Sequence, residues 1–123
     1  MSAGPILVVD DDPSIRAVVA QILDFEGYPV QTATDGAEAL AAVAQARPSL
    51  VLLDMRMPVL DGWGFARALA ARGEQLPIVV MTAAQDARRW AEEIGAAGYL
   101  AKPFELPDLL AVVERLGPSP GGE

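Results

Sequence analysis

The residues Leu50-Val51-Leu52-Leu53 run without a polar interruption into Asp54, with Pro48 just before the run and Pro58 just after it. An apolar run this short, with no alternation, reads as a strand covered on both faces, and such strands form the interior of parallel sheets. A helix competes, but the run is short and proline bounds it on each side. Asp54 then stands at the carboxyl end of a central strand, the edge at which open α/β sheets collect ligands. The plain alternative is a loop aspartate capping the next helix. Asp61, immediately ahead of Gly62 and an apolar helical run, is better placed for that cap, which leaves Asp54 for chemistry.

The same pattern recurs along the chain. Ile6-Leu7-Val8-Val9 is a second all-apolar run, and it ends in Asp10-Asp11-Asp12-Pro13. Asp12 suits the N-cap and Pro13 the first helical position, after which Ile15, Val18, Val19, Ile22 and Leu23 follow helical spacing up to Gly27. Capping accounts for Asp12 and leaves Asp10 and Asp11 unexplained. Residues 28–34 read as a more polar strand, hence an edge strand, and Asp35-Gly36 as a turn before a helix over residues 37–46 that turns Leu40 and Val43 inward. A helix carrying Trp63, Phe65 and Leu69 runs up to Gly73. Ile78-Val79-Val80-Met81 is a third buried run, ending at Thr82, with a helix over residues 83–96 behind it. Gly98 opens Tyr99-Leu100-Ala101, which ends at Lys102-Pro103, and Leu106, Leu109, Leu110, Val113 and Leu116 stripe a last helix. Strand–helix units repeated in this way predict an α/β domain with a parallel sheet, helices on both faces and right-handed crossovers. The periodicity does not give strand order. Residues 1–4 read as a frayed start and 118–123 as a flexible tail.

Composition removes several kinds of chemistry. The chain has 123 residues, 52% of them hydrophobic and 21% charged, which indicates one globular domain. Cysteine and histidine are absent, so disulfides, thiolate or imidazole metal sites, Ser-His and Cys-His nucleophiles and a phosphohistidine on this chain are all excluded. A formal net charge of −8 opposes nucleic-acid binding. No apolar stretch is long enough to span a membrane and no signal segment is visible, which predicts a soluble, cytoplasmic protein.

Because parallel strands end on one edge, Asp10, Asp11, Asp54, Thr82 and Lys102 can converge there. Two carboxylates ~4 Å apart repel by about 4 kcal/mol at an effective dielectric of ~20, and the cluster raises a carboxyl pKa unless a cation joins it. An all-oxygen site of this kind selects a hard divalent ion, and Mg²⁺ fits best. A metal, a lysine, a hydroxyl and a strand-end carboxylate suit phosphoryl transfer, with Asp54 as the nucleophile that forms an aspartyl phosphate.

Five motifs in order carry a resemblance: Val8-Val9-Asp10-Asp11, Leu53-Asp54-Met55-Arg56-Met57-Pro58, Asp61-Gly62, Met81-Thr82-Ala83 and Gly98-Tyr99-Leu100-Ala101-Lys102-Pro103-Phe104. Together they resemble the receiver domain of two-component response regulators, over residues 5–117. The resemblance implies a flavodoxin-like (βα)5 fold with strand order 2-1-3-4-5. It implies Asp54 as phosphoacceptor, Asp11 as a direct Mg²⁺ ligand, Asp10 acting mainly through a bound water, and the Arg56 backbone carbonyl as a further ligand. Lys102 would pair with the phosphoryl group, Thr82 would swing to hydrogen-bond it, and Tyr99 would follow Thr82 inward. Lys102-Pro103 matches a cis peptide.

The implied donor is a histidine kinase or phosphotransfer protein on another chain, and the implied output is an unknown partner protein or domain. On this reading the chain assists its own phosphorylation and dephosphorylation without being a turnover enzyme. The segment from Thr82 to Tyr99 is shorter than in many receivers, so the fourth helix or the loop leading into it is expected to be trimmed. Trp63 and Trp90 receive no role, and Arg88, Arg89, Glu92 and Glu93 read as a solvated helix face. Two alternatives remain. Asp10-x-Asp12-x-Ser14 has the spacing of a haloacid-dehalogenase-type hydrolase using Asp10, and a degenerate receiver would bind partners without phosphorylation.

Overall fold

The computed structural model describes residues 4–118. Within them the chain alternates strictly: β1 Ile6–Val9, α1 Pro13–Phe25, β2 Val30–Ala33, α2 Gly36–Gln45, β3 Leu50–Asp54, α3 Gly62–Ala71, β4 Ile78–Ala83, α4 Ala84–Ile94, β5 Gly98–Lys102 and α5 Leu106–Leu116. All neighbouring strands pair in parallel, in the order β2-β1-β3-β4-β5, which is the flavodoxin-like arrangement the resemblance implied.

Side-chain alternation explains why the inner strands carry no polar residue before their ends. Leu50 and Leu52 of β3 join Ile6, Val8, Val79 and Met81 against Val19 and Leu23 of α1 and Leu109 and Val113 of α5. Val51 and Leu53 face the other way, with Leu7, Val9 and Val80, and pack on Val43 of α2, Phe65 and Leu69 of α3 and Trp90 of α4. With both faces covered, each such residue must be apolar, and each fully buried leucine contributes about 1.5–3 kcal/mol. The exposed Gln31 and Thr32 lie on β2, at the sheet edge where the more polar run was expected.

Helix starts follow their caps. Asp12 accepts from the backbone N–H groups of Ser14 and Ile15, and Asp61 from that of Gly64. Asp35-Gly36 is more than a turn: Asp35 caps α2 by accepting from the Glu38 N–H, so the helix begins at Gly36 rather than at residue 37. Gly4 is not loose, because its carbonyl accepts the Ser49 hydroxyl at 2.7 Å. Residues 1–3, and all of the expected tail beyond Pro118, lie outside the described residues.

The join between β4 and α4 lies one residue later than the sequence suggests. The strand continues through Ala83 and the helix starts at Ala84, with no loop between them and no side-chain cap on the helix. The helix itself covers eleven residues and ends at Gly95, which has a left-handed φ of 68°. Thr82 is consequently a strand residue, and the cap position belongs to Ala83.

Candidate functional site at the carboxyl edge of the sheet

The 2-1-3-4-5 order makes β1 and β3 neighbours, with Val9 opposite Leu53. The chain leaves β1 toward β2 on one side and leaves β3 toward β4 on the other, which opens a crevice at their carboxyl ends. Asp10 and Asp54 are the next residues along these two strands. Asp10, Asp11 and Asp54 each offer a carboxylate oxygen, and these atoms lie within 4.8 Å of one another. Lys102, the last residue of β5, reaches the same place: its Nζ is 2.9 Å from Asp10 Oδ2 and 3.7 Å from Asp54 Oδ1.

Asp10 has no solvent exposure and is held on several sides. Its Oδ1 accepts the Asp12 N–H at 2.9 Å, Oδ2 accepts from Lys102, and its carbonyl accepts Arg16 Nη1 at 2.7 Å. Asp54 is buried and less well supplied, with the Arg56 N–H donating to Oδ1 at 3.5 Å. Burial and then the neighbouring Asp10 charge push the Asp54 carboxyl up to about 7, against the lowering pull of Lys102 and of the Arg56 N–H. Asp11 is exposed at the rim.

This donor set fits a hard divalent cation. The three carboxylates supply only oxygen, and one lysine leaves them with excess negative charge, of which the Asp10 charge adds to burial in raising the Asp54 pKa.

The loop after Asp54 is folded tightly against it. The Gly62 N–H donates to the Met55 carbonyl at 3.0 Å, and a Cβ on Gly62 would lie 2.9 Å from Met55 Cα and 3.2 Å from the Asp54 carbonyl oxygen. Only glycine allows that approach. Within the loop Val59 adopts φ 70°, and the Leu60 N–H donates to the Pro58 carbonyl at 2.8 Å, a γ-turn with a β-branched residue at its centre.

Of the residues singled out from sequence, Asp10, Asp11, Asp54 and Lys102 are brought together. Buried Thr82 lies one residue past Met81, the register partner of Asp54, and so shares the edge. Tyr99 pairs in register with Val80, further back along β5, and its side chain is exposed. The Lys102–Pro103 peptide is cis.

Sequence reasoning missed an aromatic cluster beside the site. The Trp63 and Trp90 rings meet edge-on with centroids 4.8 Å apart, and Trp63 Nε1 donates to Glu93 at 2.9 Å. The Arg56 guanidinium sits 5.4 Å from the Trp90 ring centroid, with Arg89 at 5.9 Å from the same ring. Glu93 and Arg89 therefore do more than present a solvated face. Spacing along the helix carries no signal of the Glu93 and Arg56 contacts, because Glu93 pairs with Trp63 on α3 and Arg56 reaches Trp90 from the loop after β3.

The family model for the response regulator receiver domain matches residues 6–114. The response regulator MprA of Mycobacterium sp. (strain KMS) is 46% identical over 113 residues, which is 90% of this chain and 49% of that protein. The MprA of Mycobacterium leprae (strain TN) is 45% identical over the same length. The chain thus spans about half the length of the curated relatives it matches. Among solved structures, the receiver domain of NtrX from Brucella abortus aligns at 36% identity with a TM-score of 0.83, covering 90% of this chain and 96% of that one. The chemotaxis protein CheY4 of Vibrio cholerae aligns at 35% identity with a TM-score of 0.83, covering 94% and 99%. Nothing in these matches supports the hydrolase reading built on Asp10.

Proposed function

This chain belongs to the response regulator receiver domain family of two-component signalling, and from that premise we propose that Asp54 is the residue that accepts the phosphoryl group, from a histidine kinase or phosphotransfer protein on another chain. The observation that carries the assignment is the convergence of Asp10, Asp11 and Lys102, from the ends of β1 and β5, on the carboxylate that ends β3.

The ionised Asp54 carboxylate attacks phosphorus, a P–O bond forms, and the P–N bond to the donor imidazole breaks. The departing nitrogen keeps the electron pair and takes up a proton from solvent. Lys102 Nζ, within 3.7 Å of Asp54, neutralises charge on the phosphoryl oxygens, and the Arg56 N–H donates beside them. Thr82 supplies a hydroxyl from the neighbouring strand. Asp10, Asp11 and Asp54, with the Arg56 carbonyl, would hold Mg²⁺, which when bound offsets the carboxylate repulsion and polarises the phosphoryl group. Asp11 would hold the ion directly and Asp10, already engaged by Lys102 and the Asp12 N–H, would act mainly through water.

The phosphoryl group adds a charge of about −1.5 to −2 at the sheet edge. Thr82 turns toward it, and Tyr99, exposed in this structure, moves inward behind Thr82. The output is a contact with a partner protein or domain. The domain acts in the cytoplasm without binding nucleic acid, and among the described residues no helix is long and apolar enough to cross a membrane. It is a phosphoacceptor that assists its own phosphorylation and dephosphorylation and does not turn over substrate.

Incubation with Mg²⁺ and acetyl phosphate tests this. About one acid- and base-labile phosphoryl group per chain is expected, and none on Asp54→Asn. Turnover of an ordinary phosphomonoester that survives Asp54→Asn and is lost in Asp10→Asn would overturn it. Failure to bind Mg²⁺ or beryllofluoride would instead indicate a receiver that works without phosphorylation.

A further inference from the structure

The aromatic cluster next to the acceptor loop is used by none of the steps above. Trp90 lies on α4 and is only 6% exposed, yet two guanidinium groups approach its ring, those of Arg56 and Arg89. Arg56 is the residue whose backbone N–H donates to Asp54, so its side chain reaches α4 while its main chain reaches the acceptor. Trp63 meets Trp90 edge-on and is itself fixed by its hydrogen bond to Glu93, one turn further along α4. The helix carrying Trp90 follows β4 with no loop and has no side-chain cap, so packing through residues such as Trp90 sets where it lies. The β3–α3 loop bears against it through Arg56. A cation over an indole face is an oriented attraction, strongest for tryptophan and strengthened as water is excluded.

We propose that Trp90 is a positioning residue for the acceptor site: by holding the Arg56 guanidinium on α4 it fixes the residue-56 backbone beside Asp54, and so sets how tightly the acidic pocket holds a divalent cation. The inference rests on the phosphoacceptor reading above and adds a route from the pocket to α4 that does not pass through Thr82 or Tyr99. Any shift of the Arg56 main chain as the pocket fills is felt at Trp90, and any displacement of α4 by a partner is felt at the pocket.

The test is a Mg²⁺ titration of the unphosphorylated protein, followed through the backbone amide resonance of residue 56, in a double-mutant cycle. Trp90→Leu keeps apolar bulk and removes the ring face, and Arg56→Met removes the cation. Trp90→Leu is expected to weaken Mg²⁺ binding about two- to fivefold when Arg56 is present, the range of a partly exposed cation–π contact, and to have no further effect in Arg56→Met. Trp90→Phe, which keeps a ring face and stands in should Trp90→Leu unfold, is expected to stay nearer the parent protein. A loss that persists undiminished in the Arg56→Met background would show that Trp90 only supports the fold, and an unchanged affinity in Trp90→Leu would overturn the proposal outright. If the parent protein itself binds no Mg²⁺, the phosphoacceptor reading fails first and takes this inference with it.

Discussion

Lys102 and Asp10 are 92 positions apart in the chain and meet at 2.9 Å, the lysine ammonium lying between a fully buried carboxylate and the Asp54 carboxylate 3.7 Å away. One cation thus serves two acids that would otherwise face each other alone. Removing it in Lys102→Met leaves a buried charge uncompensated, which is costly even for a pair that contributes little net stability. Because the lysine side chain keeps 23% exposure, we expect a loss on the order of 1–3 kcal/mol at pH 8. Added Mg²⁺ should recover part of the loss. Thermal melts with and without Mg²⁺ check this, and an unchanged melting temperature in metal-free buffer would contradict it.

Asp54 itself destabilises the fold at neutral pH. Its carboxyl is pushed up to about 7 by burial and the Asp10 charge, whereas an unfolded aspartate titrates near ~3.9. Between those values the folded chain holds a proton that the unfolded chain has lost, so stability falls as pH rises through this window and the penalty is complete above about 7. Asp54→Asn should therefore be more stable than the parent protein at pH 8 by on the order of 2 kcal/mol, with the gap closing toward pH 4. Denaturant unfolding at several pH values without metal measures it, and a gap independent of pH would refute the assignment.

Val59 is a β-branched residue at φ 70° with 82% of its surface exposed, so it carries backbone strain without compensating burial. Val59→Asn, which tolerates that region, should raise stability by about 1 kcal/mol. A neutral or destabilising result would mean that the side chain makes contacts in solution that offset the strain.

Gly62 allows the loop to close on Met55 and on the Asp54 carbonyl. Gly62→Ala should cost about 1–3 kcal/mol through overpacking, and should slow phosphorylation by acetyl phosphate by moving the acceptor. Equal rates and equal stability would show that the loop yields freely.

Most of the fold and the polar residues of the candidate site, though not the aromatic cluster beside it, could be read from single residues and their spacing. Asp54 and Asp10 stood out because each ends an apolar run while another aspartate, Asp61 or Asp12, already occupies the nearby cap. Asp35-Gly36 was read as a turn because the dipeptide signals one, and only the accepted Glu38 N–H reveals a helix start. The join between β4 and α4 is legible only to within one residue, since Ala83 marks no boundary of its own. Val59 at a positive φ runs against its local preference, and it sits at the centre of the turn closed by the Leu60 N–H on the Pro58 carbonyl.

The sequence by itself determined which segments are strand, which are helix and which carboxylates have no capping duty, because burial on both faces of a sheet and the unpaired groups at helix ends constrain residue type along each segment. Tertiary structure alone decided which strand ends stand together, that one lysine bridges Asp10 and Asp54, and that Arg56 reaches Trp90. Those contacts join residues far apart in the chain. They depend on strand order and helix placement, which follow from packing the whole core at once and leave no mark in the spacing of any one segment.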